Sequence, residues 1–175
     1  EELGLLEELV EQGFLERVDE EHRGPGQGTW DPGAVEPGQR HYRFLNALTQ
    51  EAAARTLLED EASELHGRIA ERLMAIERER NVTDNAQIAR HLDGAGRLEE
   101  AVEYYFDAAD EAFEQFGASE SLRLCEKVLE RVGPGHATGL EALKLKEQAL
   151  RGLGMQAEHK ATLDELAAQV ERRGD

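Results

Sequence analysis

Apolar side chains recur along this chain at two different spacings. Leu3, Leu5, Leu6, Leu9 and Val10 fall at helical intervals and stop before Gly13, a residue suited to ending a helix. Residues 14–18, FLERV, then alternate apolar and polar as a half-buried strand does. HYRF at 41–44 is bulky and aromatic, and from Ala47 the chain turns to alanine and leucine, the residues that lose least on entering a helix. The pattern predicts a helix, two strands and then helices to the end.

Between the two strand-like runs, residues 22–40 read HRGPGQGTWDPGAVEPGQR, with five glycines and three of the four prolines of the chain. Such a segment cannot hold a helix and predicts a long hairpin connection. Helix, strand, long tip and strand make up the latter part of a winged-helix unit, so residues 1–45 are expected to be a partial unit of that kind. The remainder, 46–175, is expected to be a helical arm, making the chain mainly α.

Within the arm, Asn46 and Asp60 are expected N-caps, and Leu65, Ile69, Leu73 and Ile76 follow at steps of three and four on one face. Thr83 is expected to cap the next helix, whose apolar positions are Ile88, Ala89 and Leu92 and whose end is GAGR. Thr138 and Glu141 have the spacing of a capping box. The last two helices, near 140–153 and 157–172, are separated by GMQ alone, which forces an antiparallel hairpin.

Paired helices invite comparison with the tetratricopeptide pattern, whose period is about 34 residues. Ile88, Ala89 and Leu92 sit where its first helix has L-G-x-x-Y, and Ala101, Tyr105 and Ala108 supply the following A-x-x-x-F and small position. Ala108, Ala109 and Ala112 with Ser121, Cys125 and Val128 give a second, weaker copy, so close that helices must merge or shorten between them. The expectation is an irregular tetratricopeptide-like array.

LLEELVEQGFLERVDEE, YRFLNALTQEAAARTLLEDEASELHGRIAERL and IARHLDGAGRLEEAVEYYFDAADEAFEQFGASESLRLCEKVL together resemble the region after the ATPase core of large bacterial signalling ATPases of the STAND type, associated with adenylate cyclases. That family carries a winged-helix unit followed by a tetratricopeptide arm. Its junction pattern YRFxHALxQExxYxSL is followed at Tyr42, Arg43, Phe44, Ala47, Leu48, Gln50, Glu51 and Leu57, with Asn46 and Ala54 where the family has histidine and tyrosine. The resemblance implies a non-catalytic regulatory segment that binds a protein partner or the parent's own domains. The chain holds no G-x-x-x-x-G-K-[ST], the motif that would cradle a triphosphate.

Charge narrows the partners. The formal net charge is −18; residues 1–45 carry eleven acids and four bases, or −7, which leaves −11 for the rest. Neither part offers the basic surface that a phosphate backbone requires, which argues against a winged-helix transcription regulator fragment, the alternative reading. A basic protein partner suits the acidity better. The single cysteine, Cys125, favours a reducing compartment, and no apolar run reaches the roughly 18 residues of a membrane span, so a cytoplasmic chain without membrane contact is expected.

Candidate chemistry is sparse. GPGQGTWDPG at 24–33 has prolines, no lysine and no helix directly after it, unlike a phosphate cradle. The six histidines never stand at i, i+4 or join a cysteine cluster, so no metal or cofactor is expected. Glu59 to Glu61 and Glu99 with Glu100 fall at helix starts, where negative charge suits the dipole, and Cys125 is expected in the core. A small enzyme, the second alternative, would need a polar constellation that does not assemble from the sequence. The candidate partner-binding residues are Trp30, Arg90, Tyr104 and Arg123.

Overall fold

The computed structural model describes residues 2–18, 41–80, 84–115 and 117–173. The chain divides into two compact units, Glu1–Ala62 and Ser63–Asp175. The connection at 22–40, with Trp30, and the expected cap Thr83 lie outside the described residues.

In the first unit, α1 (Glu2–Glu11) leads into strand β1 (Leu15–Val18), which pairs antiparallel with β2 (His41–Phe44), Leu15 opposite Phe44 and Val18 opposite His41. Gly13 makes the corner: its φ is +76°, its N–H donates to the Val10 carbonyl and that of Phe14 to Leu9, the two bonds of a Schellman ending. Leu15 is buried, and the Tyr42 hydroxyl donates to Glu7 of α1 at 2.9 Å, tying the hairpin to the helix before it. Asn46 caps α2 (Ala47–Arg55) as expected, its Oδ1 accepting from the Thr49 N–H at 2.8 Å. No residue of α2 is buried.

The long helix α3 (Glu59–Arg80) runs from the first unit into the second. Its cap differs from expectation. Leu58 holds the N-cap position: its carbonyl accepts the first helical bond, from Ala62, and its own N–H donates to the Glu61 carboxylate at 3.0 Å. Asp60 lies inside the first turn instead. The buried face is only partly the expected one: Ala70 and Met74 are in the core with Leu73 packed against it, whereas Ile69 and Ile76 are half-buried and Leu65 is 42% exposed.

The second unit continues through α4 (Asn85–Gly94), α5 (Leu98–Gln115), α6 (Ala118–Val132), α7 (Ala137–Leu153) and α8 (Gln156–Arg173). Asp84 caps α4, accepting from the Gln87 N–H at 3.0 Å. From α4 onward each helix packs on its successor, and α5 also meets α7. Ile88, Leu92, Val102, Val128, Leu143 and Leu150 are fully buried between them. Each such side chain contributes about 1.5–3 kcal/mol of transfer free energy.

Ala101, Ala108, Ala109, Ala112, Ser121 and Cys125 are buried, so the small positions of the expected motif are interior ones. One uninterrupted helix, α5, carries the residues expected to end a first motif copy and to start a second. Thr138 is not a cap: α7 begins after His136, and the buried Thr138 hydroxyl donates to Glu103 of α5 at 2.6 Å. A two-residue corner, Gly154 and Met155, then folds α8 back, with Gly154 at φ +70°.

Candidate functional site

The polar features of the second unit concentrate around α5. On one flank stands Tyr105, buried, with its hydroxyl donating to Asp93 of α4 at 3.4 Å. Asp93 is gripped from α6 by Arg131, whose Nε and Nη2 donate at 2.9 and 2.7 Å in a two-pronged contact spanning 38 residues of sequence. That hydrogen bonding holds the Asp93 carboxyl below its usual range despite partial burial. Burial, followed by the Asp93 charge, pushes the Tyr105 phenol upward.

Of the four residues singled out in the sequence, Trp30 lies outside the described residues. Arg90 on α4 is exposed, and Arg123 on α6 forks onto Glu120 at 2.9 and 2.5 Å. Both act electrostatically on Tyr105 and so belong to this flank. Tyr104 points elsewhere, its hydroxyl donating to Glu77 of α3 at 3.3 Å.

Another part of α5 gathers acids. Burial and the neighbouring charges of Glu103, Asp110 and Glu77 raise the Asp107 carboxyl above its usual value. Glu111 is raised mainly by burial and by Asp107, Asp84 and Asp110, even though the side-chain amide of Asn85 donates to it at 2.8 Å. Like charges collected this closely attract cations and cationic side chains. Among the described residues no three His, Cys, Asp or Glu side chains are placed to hold a metal ion together.

Two polar features escaped the sequence. His66 of α3 and His91 of α4 meet with Nδ1 atoms 3.0 Å apart, although 25 residues separate them. Burial, then the charges of His66 and Arg90, lowers the His91 pKa. His159 of α8 approaches Glu147 of α7 at 2.6 Å and pins the last hairpin. The available signal was positional: His66 lies four residues before the core residue Ala70, and His91 adjoins Leu92. Cys125 is buried as expected, and desolvation pushes its thiol up to about 12, leaving it inert as a nucleophile at neutral pH.

Comparison with known proteins adds little. No family model and no solved structure matches the chain. It is 28% identical over 175 residues to an uncharacterized protein of Rhizobium meliloti (strain 1021), covering 94% of this chain. The chain spans 15% of the length of that relative. Among the described residues no helix is long and apolar enough to cross a membrane.

Proposed function

We propose that the chain is a non-catalytic interaction arm, a tetratricopeptide-like helical array following a partial winged-helix unit, within a multidomain bacterial signalling ATPase in the cytoplasm. The observation that carries this reading is the packing order of the second unit. Each of α4 to α7 lies on its successor and α5 reaches α7, the nearest-neighbour arrangement of helical repeat proteins. Such stacks bury their own apolar faces and leave polar helix surface free for another chain. The much longer bacterial relative supports a place within a larger protein.

The net charge of −18 sets the partner's chemistry: a basic peptide or domain, either foreign or belonging to the parent. A calorimetric titration of the chain with a lysine- and arginine-rich peptide, at about 50 mM and about 500 mM salt, tests this. Binding that weakens steeply with salt is expected. ATP turnover that survives repurification, or salt-resistant binding to duplex DNA, would overturn the reading.

A further inference from the structure

We propose that His66 and His91 form a proton-operated latch between α3 and α4, closed while the pair carries at most one extra proton and opened by a second. The two Nδ1 atoms lie 3.0 Å apart, with ring centroids at 5.0 Å and planes tilted by 42°. At that separation one Nδ1–H donates and the other Nδ1 accepts. The donating ring has a bare Nε2, so a first proton enters there and leaves the contact intact. A second proton has only the accepting Nδ1 to occupy. It would set two N–H groups and two cations face to face, and the bond must break.

The surroundings sharpen this exclusion. Gly94 of α4 lies against the His66 ring so closely that a Cβ there would stand 2.7 Å from both Cγ and Nδ1. The His66 ring therefore has no room to lean further toward the α4 backbone. The charged groups acting on His91 are His66 from α3 and Arg90 from α4 itself, both opposing a positive charge. Glu71 of α3 and Glu100 of α5 are engaged by Arg97, and Asp93 of α4 by Arg131. Among the described residues no carboxylate hydrogen-bonds either ring to offset a second proton directly.

Burial and these charges hold the His91 pKa below the ordinary 6.5 in the folded chain. The unfolded chain then binds more protons than the folded one as pH falls below 6.5. The stabilisation is complete above that value and is lost progressively beneath it. The latch sits where α3 enters the second unit, three residues past Ser63. Opening it leaves Ala70, Leu73 and Met74, with the Tyr104–Glu77 and Arg97–Glu71 contacts, to hold that helix.

Hydrogen-exchange protection factors in the full chain test the latch. Between about pH 7.5 and about pH 5, protection within 63–80 is expected to fall about tenfold or more while that of α7 stays constant. In His91→Asn a polar atom stays near the Nδ1 position but cannot be protonated, and α3 should keep its protection at the lower pH. Unchanged α3 protection in the native chain, or a pH dependence that persists in His91→Asn, would overturn the proposal. Should that variant fail to fold, NMR titration of the His91 ring in the native chain decides. A midpoint below 6.5 that coincides with loss of α3 protection supports the latch, and a midpoint at or above 6.5 refutes it.

Discussion

Two glycines of α7 should respond with opposite signs to the same substitution. Glycine inside a helix is ordinarily less favourable than alanine by about 0.5–1 kcal/mol, so Gly→Ala stabilises wherever a methyl group fits. At Gly152 a Cβ would stand 3.8 Å from the Ala118 Cβ, an ordinary contact, and a gain of about that size is expected. At Gly139 it would stand 1.9 Å from the Gly133 carbonyl oxygen and 2.9 Å from its carbon. A relaxed carbon-to-oxygen approach is about 3.3–3.6 Å, so backbone must retreat by well over 1 Å.

Gly133 cannot retreat freely. Its φ is +68°, its N–H closes α6 on Leu129 at 2.9 Å, and its carbonyl accepts from His136 just before α7. Overpacking of this kind costs about 1–3 kcal/mol. Weakening the His136 bond adds about 0.5–1 kcal/mol, which cancels the propensity gain. Gly139→Ala should therefore lose about 1–3 kcal/mol where Gly152→Ala gains. Urea unfolding followed by far-ultraviolet circular dichroism measures both. Equal or greater stability of Gly139→Ala would show that α6 and α7 do not meet as described.

Three substitutions and one reaction probe the packing further. Met74→Ala should cost about 2–3 kcal/mol, because that side chain is buried, whereas the exposed Leu65→Ala should cost less than about 1 kcal/mol; comparable losses would restore the face expected from the sequence. Asp93→Asn should destabilise by about 1–2 kcal/mol near neutral pH by weakening the Arg131 contact. Since Arg131 holds the Asp93 carboxyl low, the native advantage is present above the ordinary value of 3.8 and disappears as pH falls below it, so denaturation midpoints of native and variant chains should converge in acid. Cys125 should resist alkylation near pH 8 in the folded chain and react only at the rate of unfolding, which mass spectrometry across a urea series would read.

What could be read from the sequence was local. Asn46 announces its helix because a short side-chain acceptor standing before a run of alanines satisfies the first free N–H groups. Ile88, Ala89 and Leu92 announce their face because three apolar residues at helical spacing have one place to go. Leu65 misled because α3 carries two rows of apolar residues, and which of them enters the core is settled by packing against other helices. Thr138 has the spacing of a cap, yet its hydroxyl is claimed by Glu103 from a different helix, and no spacing rule reaches across helices. The same holds for His66 and His91: each alone reads as an ordinary polar residue, and their chemistry exists only after α3 and α4 pack.

The central claim, that α4 to α8 form a docking arm for a basic partner, is tested most directly by mapping where such a partner lands. Amide chemical shifts of the full chain, followed by NMR during titration with a lysine- and arginine-rich peptide, give that map residue by residue. Saturable shifts confined to helices between Ile88 and Leu166 and abolished by high salt are the expected result. Shifts confined to 2–62, or none at peptide concentrations approaching a millimolar, would contradict the claim.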